Sequence, residues 1–223
     1  MRVVVDEKLT LEPGILFRDG SNADDGFGPS ASTPPGSETL QDRSSSSLFG
    51  GNTNAGLENI SPSDLPAAAI NDDVDGNLFL EVAVALGADD KIGDASNGVF
   101  QVRNDTNSSQ DIAIRFPTFG EQANGDTDDV TETQAVETFR FFDSSDAQIS
   151  TDDPTTDPQT VDNSVTVSPG GIEQIYVDYN TTTYESALET AAGISGNPFQ
   201  QQTATVDLVD TISVGTEDGN NVS

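Results

Sequence analysis

Apolar residues in this chain recur at every second position in short runs, the period of a strand with one buried face. The first run is the chain's opening, MRVVVDEKLTLEPGILFR. Val3, Val5, Leu9, Leu11, Ile15 and Phe17 fall on one side, and Arg2, Asp6, Lys8, Thr10 and Glu12 on the other. Glu7 and Val4 break the series. No turn follows that would fold this strand onto its sequence neighbour, so its partner lies far along the chain or on another chain.

The same period returns from residue 77 onward. NLFLEVAVAL (77–86) sets Leu78, Leu80, Val82, Val84 and Leu86 on one face, with Phe79, Ala83 and Ala85 making the other partly apolar. That is the pattern of a central strand. GVFQVRN (98–104) and QDIAIRF (110–116) flank DTNSSQ and predict a hairpin. ETFRFFD (137–143) is aromatic and strand-prone, NSVTVSPGGIEQIYVDYN (163–180) predicts two strands about SPGG, and QQTATVDLVDTISVG (201–215) closes the set. Only TYESALETAAG (183–193), rich in Ala, Leu and Glu and ending at Gly193, predicts a helix. Many short strands with one minor helix predict an all-β fold, an antiparallel β-sandwich of jelly-roll type.

Residues 19–75 read differently. They are dense in Gly, Ser, Pro and Asn with scattered apolar residues such as Phe27, Leu48, Phe49, Leu57 and Ile60. The expected organisation is one domain with an N-terminal strand (1–18), a loop-rich insertion (19–76) and a sandwich core (77–223).

Charge narrows the setting. The 223 residues carry 39 Asp and Glu against eight Lys and Arg, a formal net charge of −31, and 27 of the acids are Asp while only Lys8 and Lys91 are Lys. Such a surface repels phosphates and anionic membranes, which argues against nucleic acid and direct membrane insertion. In molar salt the screening length falls to about 3 Å and the self-repulsion nearly vanishes, so the composition fits a halophilic archaeon. With no Cys and no His, neither disulfides nor thiolate or imidazole chemistry is available, which is the strongest sequence argument against an enzyme. No run of transmembrane length and no signal peptide is present, and the start directly in a strand is what a chain shows once a leader has been removed.

The acids invite one cation. Asn71, Asp73 and Asp75, with Gly76 after them, occupy positions one, three, five and six of a calcium-type loop. Position twelve falls at Val82, beside Glu81, so the bidentate ligand is missing or displaced; structural calcium is the only cofactor expected, and a solvated turn before a strand is the plainer reading. GDTDDVTE (125–132) and STDDPTTD (150–157) are weaker versions of the same signal. Sequons at Asn59, Asn104, Asn107, Asn180 and Asn221 suit glycans on a secreted protein. No pair of carboxylates stands out for glycoside chemistry, and Trp is absent.

Taken in order, GVFQVRNDTNSSQDIAIRF, FRFFDSSD, SVTVSPGGIEQIYVDYNTT and the terminal ATVDLVDTISV resemble the secreted haloarchaeal β-sandwich proteins, in which F-x-V-x-N precedes a short hairpin and PG precedes a long strand. These are distantly similar to camelysin and TasA biofilm-fibre subunits and to archaeal bundling pilins. The resemblance covers residues 77–214 and the first strand; the 19–75 insertion departs from it. It implies an extracellular, cell-surface subunit that polymerises with copies of itself by donor-strand complementation. The residues beside it agree: exposing a strand with an apolar face is costly and so is an unpaired sheet edge, and inserting one into the other removes both problems. The polymerisation residues would be Val3, Val5, Leu9, Leu11, Ile15 and Phe17. The alternatives are a strand folded back into its own sandwich, giving a monomeric secreted binding module that presents 19–75 to a partner, and a halophilic virus coat protein.

Overall fold

Strands form where the apolar period is two, and both of the resulting sheets turn their apolar faces onto one core. A computed structural model describes residues 2–5, 9–14, 39–40, 67–72, 78–120, 123, 130–155, 163–193, 206 and 208–216. These form strands β1 Arg2–Val5, β2 Leu9–Pro13, β3 Thr39–Leu40, β4 Ala67–Asp72, β5 Leu78–Ala83, β6 Asp89–Ile92, β7 Phe100–Asn104, β8 Gln110–Phe119, β9 Phe139–Phe142, β10 Val165–Val167, β11 Ile172–Asn180 and β12 Val209–Thr216. Two short helices accompany them, α1 Glu132–Thr138 and α2 Glu185–Ala191. The all-β sandwich expectation holds.

One sheet runs β10-β8-β12-β1-β5-β4-β3, and the other is built on β11, which pairs with β7, β6 and β9 while β2 pairs with β7. Pairing is antiparallel except for β1 with β12 and β3 with β4. Between the sheets lie Leu80, Phe100, Val102, Ile112, Ile114, Phe116, Phe141, Ile175, Val177, Ile212 and Val214, all fully buried. Phe116 from the first sheet meets Phe141 from the second with ring centroids 6.1 Å apart, and Phe100 meets Phe141 at 6.1 Å, tilted contacts of the kind aromatic edges favour.

The expected hairpin about DTNSSQ and the turn at SPGG are both crossovers between sheets. β7 and β8 do not pair: β7 joins β11, and β8 joins β12 and β10. Likewise β10 lies on β8 while β11 is in the opposite sheet. An alternating strand satisfies its core face equally well whichever way the chain leaves it, and here the corner chemistry decides. Asn104 is fully buried. Its Nδ2 donates to the carbonyls of Ser108 and Val167, each at 2.8 Å, and its Oδ1 accepts from the Thr106 amide and hydroxyl. Its backbone carbonyl accepts from the Gly170 amide at 2.8 Å and its amide donates to the Gly171 carbonyl at 3.0 Å. The 104–109 and 168–171 corners are therefore tied to each other at one end of the sandwich. Gly170, at φ +69, adopts the left-handed backbone this turn requires.

Three further differences from the sequence reading concern local signals. Residues 67–72, inside the stretch read as loop-rich, form β4 and pair with β5 from Ala67–Ala83 to Asp72–Leu78. Helix α1 takes the first two residues of the ETFRFFD segment; Thr131 caps it and Gln134 reaches back to the Thr131 amide, a reciprocal capping box. Finally, β6 and β7 follow one another along the same side of β11, with Ile92 opposite Val177 and Phe100 opposite Ile175. The kink between them needs glycine, because a Cβ at Gly98 would lie 2.7 Å from the Ile175 amide nitrogen.

Candidate functional site

The opening run is two strands, not one. β1 sits in the middle of the seven-stranded sheet, parallel to β12 (Val3 opposite Ile212, Val5 opposite Val214) and antiparallel to β5 (Val3 opposite Leu78). β2 lies on the edge of the other sheet, antiparallel to β7 from Leu9–Asn104 to Pro13–Phe100. Residues 6–8 join them, so Glu7, the odd position that broke the apolar series, falls between the strands. The alternation survives the switch of sheet because both sheets face the same interior.

Of the six residues expected on the polymerisation face, Val3, Leu9 and Leu11 are buried in this chain's own core. Val5 holds its place in the β1 ladder, and Ile15 and Phe17 lie outside the described residues. The partners are distant in sequence, as the absence of a turn required, and they belong to the same chain. Residues 2–5 and 9–13 thus form an arm that contributes to both sheets. Past it, the Gly14 amide donates to the Val99 carbonyl at 3.1 Å, and a Cβ at position 14 would fall 1.9 Å from the Gly98 carbonyl oxygen, so the chain leaves the arm through a contact of two glycine backbones.

A polar clasp on the outside of β2 and β7 secures the arm. The Arg103 guanidinium bridges Glu12 (Nη1 to Oε1, 2.7 Å) and Asp105 (Nε to Oδ1, 2.9 Å). Thr10 Oγ1 donates to Asp105 Oδ2 and Gln101 Nε2 donates to Glu12 Oε2. Gln174 Nε2 on β11 donates to Gln101 Oε1 at 2.6 Å, extending the network across three strands. The Asp105 carboxyl is held below the usual carboxylate range by the Thr10 hydroxyl first and the Arg103 charge after it. Sequence reasoning missed this clasp; its signal was the scarcity of cations, which gives each of the eight in the chain unusual weight.

A second cluster lies on the outer face of β11. The Tyr176 ring is covered by Lys91 Nζ, 5.1 Å from its centroid, and by Phe142, stacked at 5.5 Å, while its hydroxyl donates to Asp146 Oδ1 at 2.7 Å. Burial, then Asp146, pushes the Tyr176 phenol far above its ordinary value; on the core face of the same strand, burial, then Asp90, pushes Tyr179 up to about 12. Burial and the neighbouring Asp89 raise Asp178. The Tyr176 hydroxyl bond to Asp146 and the Phe142 and Lys91 contacts with its ring make the cluster a fastening between β11, β9 and β6.

The remaining predicted sites are separated by the structure. Asn71 stands in β4 opposite Phe79, with its backbone in the ladder, and Asp73 and Asp75 lie outside the described residues. Among the described residues no three acids are grouped so as to hold a metal ion. Asn59 and Asn221 also lie outside them. Asn104 is the buried corner residue, Asn107 is exposed on that corner, and Asn180 is half-buried, its Oδ1 accepting from the Thr182 amide and hydroxyl and from the Thr183 amide. The F-x-V-x-N and PG segments meet at the Asn104 corner. No protein-family model, curated protein or solved structure matches the chain. No helix among the described residues is long and apolar enough to cross a membrane.

Proposed function

We propose that this chain is a structural subunit of an extracellular haloarchaeal filament, its copies joined by exchange of the 2–13 arm. The observation that carries the reading is the seat of β1. Without that four-residue strand the seven-stranded sheet divides into β10-β8-β12 and β5-β4-β3, leaving two unpaired edges facing one slot. A slot of this kind accepts one strand of fixed length and apolar pattern, and an identical strand from a neighbour remakes every contact of the closed form, which makes exchange a low-cost route to assembly. The net charge of −31 supports a home in molar salt, and the lack of His and Cys supports a structural role over a catalytic one. Any calcium would be structural, held near Asn71, Asp73 and Asp75.

The arm's pairing within its own chain favours a second reading, a self-complemented monomer that presents residues 19–75 to a partner. Because the protein has no cysteine of its own, one experiment separates the two. Val4 and Ser213 are opposed in adjacent strands, where Cα atoms lie about 5 Å apart and a disulfide fits. Val4→Cys chains are mixed with Ser213→Cys chains in molar salt and oxidised. Covalent dimers are expected from arm exchange. Monomers alone, with the double variant closing within one chain, reject the filament reading in favour of the monomer.

A further inference from the structure

Two sequons lie three residues apart at the Asn104 corner, and the fold treats them in opposite ways. N-glycosylation joins the Asn amide nitrogen to C1 of a sugar, so that nitrogen must be reachable and free of stronger commitments. Asn104 fails on both counts. It has no exposed surface, and its Nδ2 donates to the carbonyls of Ser108 and Val167, which tie the two corners together. The hydroxyl its sequon needs, that of Thr106, is bonded to Asn104 Oδ1 at 2.7 Å. A sugar on Asn104 would break the corner open. Asn107, by contrast, is exposed, and so are Ser108 and Ser109, which complete its sequon. The Asn104 side chain ties the base of this corner, and Asn107 lies exposed on it at the end of the sandwich.

We infer that Asn107 is a glycan acceptor and that its neighbour Asn104 is closed to modification. The donor class is an oligosaccharide activated as a polyprenyl phosphate. The Asn107 Nδ2–C1 bond forms as the C1–O bond to phosphate breaks; the phosphate leaves with the bonding electron pair, and one amide proton is released. The inference rests on the extracellular reading above, since such donors act on the outer side of the membrane. On this chain a neutral glycan at the corner supplies hydration without adding to the charge of −31.

The test uses the full chain made in a haloarchaeon. Cleavage after Arg103 and Arg115 releases one peptide, Asn104–Arg115, that carries both sequons. The cell fraction containing the protein is established first, and the peptide is then sequenced by electron-transfer fragmentation. Expected is a protein outside the cell whose peptide carries hexose-series mass on Asn107 alone, with that mass lost completely in Asn107→Gln while secretion and thermal midpoint stay unchanged. An extracellular protein with an unmodified peptide, or with the mass on Asn104, overturns this inference and leaves the extracellular reading standing. A protein retained inside the cell overturns both.

Discussion

Each sheet is organised around one strand, and the two strands differ in how firmly they are held. β11 is nine residues long and is paired with β7 and β6 along one side and β9 along the other. Its side chains add fastenings on both faces, Ile175 and Val177 in the core and Tyr176 outside. β1 is four residues long, yet it bridges two halves of a larger sheet, and a three-residue link to β2 connects it to the other sheet. A strand embedded like β11 fixes the fold of its own chain. A short strand in a central seat fixes whichever molecule supplies the contacts, and this asymmetry is what would make exchange workable.

Removing residues 1–14 tests the contrast most severely. Burial of Val3, Leu9 and Leu11 at about 1.5–3 kcal/mol each amounts to roughly 5–9 kcal/mol, comparable with the whole stability of a domain. The truncated chain is expected to lose its cooperative thermal transition and to regain it when a synthetic peptide of residues 1–14 is added. Failure of the peptide to restore folding would show that the seat is not preformed.

Shortening the core of β11 should behave differently. Ile175→Ala is expected to destabilise by about 2–5 kcal/mol in denaturant titration, and no added peptide should repair it. Asn104→Ala comes next, at about 1–3 kcal/mol, because it leaves the Ser108 and Val167 carbonyls without their donor. Hydrogen exchange in that variant should rise at both corners together. Loss of protection at one corner only would break the link between them.

The clasp gives the smallest effects. Arg103→Ala is expected to lower stability by about 0.5–1 kcal/mol, with exchange increasing in β2 and not in β11. Because the folded Asp105 carboxyl titrates below its ordinary value of 3.8, its contribution is present above that pH and is lost as the pH falls further. Protection of β2 should therefore drop below about pH 3.8, and Asp105→Asn should remove this step from the profile. An unchanged step would assign it to other acids.

How much of this was legible in the sequence depended on whether the signal was local. Alternation located β5, β7, β8, β11 and β12, because burial on one face imposes a period of two wherever the chain goes next. It could not distinguish a hairpin from a crossover: DTNSSQ and SPGG mark reversals, while the plane of each reversal is set by Asn104 meeting residues more than 60 positions away. The division of the opening run was hidden for the same reason, since the arm changes sheets without changing its inward parity. β4 was missed because its AAAIND sequence carries weak strand propensity and gains its place by pairing with β5. Helix α1 was masked by the aromatic strand that follows it, although Thr131 and Gln134 carried a start signal. The burial of Val3, Leu9 and Leu11 was readable from pattern; the identity of their partners was not.

The joined corners also bear on how such a protein can diversify. A loop that shares its hydrogen bonds with another cannot be lengthened alone, because Asn104 would lose Val167 or Gly170 as soon as either turn grew. Insertions that keep the corner intact must therefore enter elsewhere than these two turns. New recognition surfaces are expected away from this pair of turns, whose shape is set by one shared asparagine.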